Sequence, residues 1–340
     1  MHSLPYRTKL RIRAALKYGA ITLAVLAALL LLLVIYLGRY VVYDENGAHI
    51  DLHRSTASPV ASEQLAEPET AAPMPVEIVY ADPGTNDEDT EAMIGVYIDI
   101  NMLQDPDAVL SALEELDGPC PVMIDLKSRS GAFYYSTGIE GAIRPDYVDV
   151  KKVDAILSYL RANGFSMIAR VETFCDTNFA LNNIPCGIPM AGGALWMDGN
   201  GFYWIDPENS LVRDYLKQIV SELASKGFRE IVFDDFFYPE STQIVYTSEK
   251  NKNELMEETA NLLITYFGNS NITISFGSPS TDFVLEQTSS RVYIGDVDGS
   301  NVSAAVSGYN RLADAAKQLV FLTASRDTRF DGYNLLRPLM

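Results

Sequence analysis

The chain has 340 residues, 48% of them hydrophobic, enough to bury one large core or two smaller ones, and nothing in it is fibrous or repetitive. Lys and Arg total 26 against 45 Asp and Glu, and every acidic residue lies after Tyr43. No basic stripe offsets that excess, so the body is not built to hold nucleic acid, and a neutral ligand suits it better.

Arg7, Lys9, Arg11, Arg13 and Lys17 precede an apolar run over residues 19–38. About 20 such residues cross a hydrocarbon core, and no small-residue cleavage site follows, which predicts a single transmembrane helix acting as an uncleaved signal anchor. The basic residues before it and the lone Arg39 after it predict a cytoplasmic tail at 1–18 and an extracellular remainder at the cell membrane. His49 and His53 stand at a spacing that would join two imidazoles on one helix face, but only Asp51 accompanies them, so no metal site and no cofactor is expected. Residues 39–93 read as a linker. From Ser55 it is rich in Ala, Ser, Pro, Glu and Thr, the composition of a disordered, partly extended stalk.

From Ile94 strands alternate with helices. A strand over 94–100 is followed by Asp105-Pro106, a cap with proline in the first turn, and by an apolar face at Val109, Leu110 and Leu113. Residues 121–127 are the second strand. Val150, Val153, Ile156, Leu157 and Leu160 mark one buried helix face, and 166–171 are the third strand. Val212, Tyr215, Leu216, Ile219 and Leu223 mark another helix, which ends at Lys226-Gly227 and feeds a fourth strand, Glu230-Ile231-Val232-Phe233-Asp234-Asp235. Residues 255–267 and 312–319 read as helices, and 272–276, 292–294, 320–323 and 333–336 as strands. Repeated βα units of this length predict an α/β fold, a (β/α)8 TIM barrel over 94–340, with active groups at the carboxyl ends of its strands. The rival is an open doubly wound sheet, whose dinucleotide-binding form would need a GxGxxG turn that is absent. Cys120, Cys175 and Cys186 are too few for a disulfide framework, although a bridge from Cys175 to Cys186 would close one loop.

Four stretches carry a resemblance: 168–176 (IARVETFCD), 193–198 (GALWMD), 204–207 (WIDP) and 233–239 (FDDFFYP). In order and spacing they resemble the bacterial family named putative glycosyl hydrolase domain, strongest over residues 124–239. That resemblance implies a glycosidase-type barrel and a glycan ligand. After the fifth strand the chain departs from the family, with Asp296-Val297-Asp298-Gly299 and Leu335-Leu336-Arg337-Pro338 in place of its usual strand ends.

Glycoside hydrolysis needs one carboxyl that stays protonated and a second that is ionised, both facing the substrate. Asp234 and Asp235 are neighbours on an extended strand and point to opposite faces while it stays regular, so they are not simply that pair. Asp234, shared by the related motifs, is expected to be the main catalytic carboxylate. Asp235 either turns into the pocket past the strand end or satisfies groups in the next loop. Glu172, Asp125 and Asp296 are the candidate partners, with Arg170 and Lys127 placed to pair with these acids and lower their pKa. The loop over 179–207 holds Trp196, Asp198 and Trp204, and Tyr238 follows the strand. Aromatic faces beside carboxylates suit sugar rings, although Asp198-Gly199-Asn200-Gly201 reads equally as a turn and the tryptophans as loop core. The expected activity is a membrane-anchored extracellular glycoside hydrolase acting on a polysaccharide, such as one of the cell envelope. A catalytically inactive carbohydrate-binding barrel and a structural partner in an envelope complex are the alternatives.

Overall fold

The computed structural model describes residues 41–44, 47–50, 92–278, 289–295 and 297–339. The chain divides into two units, Met1–Pro83 and Gly84–Met340. In the first, β1 (Val41–Asp44) and β2 (Gly47–Ile50) pair antiparallel, with Val41 opposite Ile50 and Asp44 opposite Gly47. The expected linker at 39–93 therefore begins with a hairpin. His49 lies in a strand opposite Val42, so the helical spacing that would join it to His53 does not apply. His53, the stalk composition at 55–91 and the apolar run at 19–38 lie outside the described residues. Among the described residues no helix is long and apolar enough to cross a membrane.

The second unit is a closed eight-stranded parallel barrel, the (β/α)8 fold expected from the repeat. Its strands are β3 (Ile94–Ile98), β4 (Pro121–Lys127), β5 (Ser166–Glu172), β6 (Glu230–Asp234), β7 (Thr273–Gly277), β8 (Val292–Gly295), β9 (Leu319–Leu322) and β10 (Asn334–Pro338), paired in that order and closed by β10 against β3. The eight fall within a few residues of the expected ones. Short apolar runs formed parallel strands here because both faces are covered. Met123, Ile168, Val232, Tyr293, Val320 and Leu336 make the inner core, while their alternates, such as Ile124, Ala169, Phe233 and Phe321, join the outer core.

The outer core is closed by α1 (Pro106–Glu114), α2 (Val150–Ala162), α3 (Thr177–Asn182), α4 (Ser210–Lys226), α5 (Lys252–Phe267), α6 (Val302–Gly308) and α7 (Ala315–Gln318). Asp105 caps α1 through the Ala108 amide at 3.1 Å, with Pro106 in the first turn. Helix α4 buries Val212, Tyr215, Leu216, Ile219, Val220 and Leu223, and Gly227 ends it at φ 107°, a conformation that glycine takes without a Cβ penalty.

Inside the barrel the residue chemistry changes along the axis. At the amino end Glu230 accepts hydrogen bonds from Ser275 Oγ at 2.6 Å and Tyr293 Oη at 2.9 Å and pairs with Arg291, which closes the floor. At the carboxyl end the inward positions become Asp125, Arg170, Glu172 and Asp234. Charges that could not be buried alone are therefore paired at either end, and most of them gather at the carboxyl mouth.

Candidate active site

Glu172 and Asp234 are register partners at the carboxyl ends of β5 and β6, so their side chains leave neighbouring strands on the same face. Residue 277 on the next strand is glycine, and a Cβ there would fall 3.0 Å from Asp234 Cγ and overlap Oδ1. The carboxylate of Asp234 occupies the volume that glycine leaves. Strand β6 stops at that point. Asp235 takes φ +48°, the one non-glycine residue at positive φ among the described residues, while the next amide, of Phe236, donates to Gly277 O at 3.0 Å. The left-handed turn brings a second aspartate side chain to the cavity that Asp234 faces, which an extended strand would have sent the other way.

Two arginines thread these acids together. Arg170 binds Asp125 through Nε–Oδ1 and Nη2–Oδ2, each 2.6 Å, and lies 3.5 Å from Asp234 through Nη1. Arg129, from the loop after β4, reaches Asp235 through Nη2 at 2.7 Å and Glu172 through Nε at 3.5 Å. Four carboxylates against two guanidiniums leave an excess of negative charge, which raises the affinity of these acids for protons. Burial, then the charges of Asp234 and Asp235, push the Glu172 carboxyl well above its ordinary range against the smaller pull of Arg129. Burial also raises Asp234, opposed by Arg170 and helped by Asp235, and it raises Asp125 despite the Arg170 fork. Glu172 Oε2 is buried without a hydrogen-bond partner among the described residues, whereas Asp235 Oδ2 is met by Arg129 Nη2 at 2.7 Å. The Glu172 and Asp235 side chains lie within hydrogen-bonding reach of each other, one of the contacts that raise the Glu172 carboxyl.

Asp234, Asp235, Arg129 and Arg170 line a cavity of about 470 Å³ at this mouth, together with Tyr293, Val297, Ala305 and Tyr309. That volume is in the range of small-molecule sites, and its lining combines charged side chains with apolar and aromatic ones. Such a cavity can hold a sugar ring by its C–H face and present acid groups to its linkage oxygen.

The other expected site residues are placed differently. Lys127 does not reach the cavity. Strand β4 carries a register shift between Asp125 and Lys127, so Lys127 pairs with Val171, an outer-core residue, and is turned to the outer face. There it pairs with Asp176 at 2.9 Å, and it does not hold the candidate acids by their carboxylates. Trp196 and Trp204 are 7% and 3% exposed, with ring centroids 6.2 Å apart and Trp204 5.1 Å from Phe237. They form the core of their loop and present no open face to a sugar. Asp198 builds the turn, accepting from the Asn200 and Phe202 amides, and takes the Trp204 indole N–H at 3.2 Å. Tyr238 is buried against Tyr246 and Lys252. Asp296 lies outside the described residues. The three cysteines are free thiols, so no bridge joins Cys175 to Cys186.

Arg129, Gly277, Tyr293 and Tyr309 are site residues that sequence reasoning did not select. For Arg129 the available signal was its place two residues after a strand end. For Gly277 it was a glycine closing a strand beside the Asp234 strand.

A family model described as "Putative glycosyl hydrolase domain" matches residues 95–275. No curated protein sequence matches the chain. Among solved structures, a hypothetical protein from Ruminiclostridium thermocellum is 20% identical, with a TM-score of 0.46 over 54% of this chain and 96% of that one. A chitobiase from Flavobacterium johnsoniae is 12% identical, with a TM-score of 0.45 over 69% of this chain and 38% of that one. An alpha-galactosidase from Lactobacillus brevis is 11% identical, with a TM-score of 0.49 over 72% of this chain and 37% of that one. This chain thus spans under two fifths of the length of the two enzymes.

Proposed function

The chain belongs to the Putative glycosyl hydrolase domain family, and on that premise we propose that it is a glycoside hydrolase acting on a polysaccharide. We further propose that residues 19–38 anchor it in the cell membrane with the barrel outside, a reading supported by the apolar length of that run and the basic residues before it.

The observation that carries the reading is the register pair of Glu172 and Asp234, with Asp234 lining the cavity and burial raising the Glu172 carboxyl beside it. Glu172 is the general acid, which gives its proton to the leaving glycosidic oxygen. Asp234, 30% exposed at the cavity wall and held by Arg170, acts as the ionised carboxylate at the anomeric carbon. Asp235 adjoins Glu172, and Arg129 keeps both of those acids in place. Register partners on adjacent strands stand about 4.8 Å apart at Cα, which favours the short carboxyl separation of retaining enzymes over the wider one of inverting enzymes.

The test is release of reducing ends from purified cell-wall polysaccharides. Wild type is expected to release them, and Asp234→Asn to do so at least about 10²-fold more slowly. Glycan binding with no release, unchanged by that substitution, would leave a binding barrel in place of an enzyme. Deletion of residues 1–38 is expected to move the protein from the membrane fraction to the soluble one.

A further inference from the structure

Behind the catalytic mouth lies a charged pair that the mechanism above does not use. Lys127 and Asp176 have fully buried side chains, with Nζ 2.9 Å from Oδ2. Burying a lysine and an aspartate is costly even when they pair, so a pair in such a place needs partners on every side. Asp176 has them. Its Oδ1 accepts the Phe179 amide at 2.8 Å as the cap of α3, and its Oδ2 also accepts the Tyr215 hydroxyl of α4 at 2.8 Å. Gly131, at φ +83°, leaves the room that Oδ1 fills, since a Cβ there would overlap it.

The remaining contact of Lys127 points to the site. Nζ donates to the backbone carbonyl of Glu172 at 2.6 Å. The β4–β5 ladder has ended one residue earlier, at Lys127 opposite Val171, so β4 offers the Glu172 carbonyl no backbone donor. The ammonium stands in for that missing N–H and carries the strand one residue further. On the other side of β5 the Thr173 amide donates to Asp234 O at 3.1 Å, so the strand is held from both edges where Glu172 leaves it. Extended geometry at residue 172 is what keeps its side chain on the inward face two residues after Arg170.

We propose that the buried Lys127–Asp176 pair is a positioning device for the general acid, holding the Glu172 backbone extended so that its carboxyl meets Asp234 and Asp235, the two acids that line the cavity. This inference rests on the glycosidase reading for its kinetic consequence, but not for its structural one. Loss of the pair should misplace the acid without touching the cavity wall.

The experiment replaces both charges together, Lys127→Met with Asp176→Asn, so that no single buried ion is stranded and the side-chain amide oxygen of the replacement can still cap α3. Two readouts are taken: polysaccharide hydrolysis, and the titration of the Glu172 carboxyl by carbon-13 NMR, assigned with Glu172→Gln. The expected result is a folded protein whose kcat falls about 10- to 100-fold with KM within about twofold, and whose Glu172 titration moves by about half a pH unit or more. A folded double variant with wild-type kcat and wild-type Glu172 titration would overturn the proposal. Should the double variant not fold, Tyr215→Phe, which removes only one donor from Asp176, takes its place; it is expected to move the Glu172 titration by a measurable amount below about half a pH unit, and an unmoved titration overturns the proposal equally. If wild type hydrolyses no polysaccharide, the glycosidase reading fails while the NMR titration still decides the positioning role.

Discussion

Gly277 and Asp234 share one volume: the Cβ that glycine lacks would overlap the Asp234 carboxylate. Gly277→Ala should therefore push the carboxylate off its position beside Arg170. A displacement near 1 Å at a reacting group costs about 10²-fold in rate, and overpacking at a buried site costs about 1–3 kcal/mol. The expected outcome is a kcat loss of that order with a smaller change in KM, measured by reducing-end release, together with a lowered midpoint in urea. Unchanged kinetics would mean that Asp234 is not held where the reaction needs it.

Asp235 separates stability from function. Its φ of +48° is a conformation that glycine adopts freely and that costs other residues about 1 kcal/mol or more. Asp235→Gly removes that strain along with a carboxylate that Arg129 and Glu172 both face. Urea unfolding is expected to show the variant at least as stable as wild type, while hydrolysis falls by about tenfold or more. A drop in stability with activity retained would place the residue in the architecture and not in the chemistry.

Trp204 provides the opposite control. Trp204→Phe keeps most of the ring packing on Trp196 and Phe237 but leaves Asp198 Oδ2 without the indole N–H. Loss of that hydrogen bond should lower stability by about 1–2 kcal/mol. Because the ring is buried in its loop, KM for polysaccharide should stay within about twofold of wild type. A large rise in KM would show instead that the ring contacts the sugar.

The barrel was legible because its signals are local. Apolar runs of strand length, helix faces at Val153, Ile156, Leu157 and Leu160, and caps such as Asp105-Pro106 each specify an element on their own. Asp234 was legible for the same reason, since it ends a buried strand. What escaped depends on geometry that no window of sequence contains. Alternation placed Lys127 on the same face as Asp125, and one irregularity in the β4–β5 register reverses that. The same alternation separates Asp235 from Asp234, and a left-handed residue rejoins them. Arg129 reaches Glu172 and Asp235 because the loop after β4 folds back, with the Phe133 amide on Ile143 O and the Tyr134 amide on Leu126 O, contacts that exist only in the folded chain. The tryptophans signalled a structured loop correctly, but two large apolar rings bury each other as readily as they stack on a sugar.

The raised pKa of Glu172 fixes the sign of a pH dependence. An acid whose folded pKa lies above its ordinary value of 4.5 binds its proton more tightly in the folded chain than in the unfolded one. Its stabilising contribution is then present at low pH and lost as pH rises from about 4.5 through the raised value. Glu172→Gln lacks this term. Urea unfolding of the two proteins across the acidic and neutral range should show the wild-type advantage shrinking with rising pH and then levelling off. Wild-type kcat/KM should fall over the same window as the general acid loses its proton. A wild-type advantage that grows with pH would reverse the assignment of Glu172 as the protonated partner.

Arg129 sets where that window lies. Its guanidinium is 39% exposed at the cavity rim and pulls the Glu172 carboxyl downward against burial and the two aspartates. Arg129→Gln removes the pull, so the alkaline limb of kcat/KM should move to higher pH, and kcat should fall by about tenfold as Asp235 loses its brace. Because Arg129 is partly open to solvent, added salt should screen the same interaction and move the wild-type limb in the same direction by less, while the limb of Arg129→Gln should respond weakly. A limb that moves down in the variant, or does not move, would mean that Arg129 acts on the substrate and not on the acid beside it.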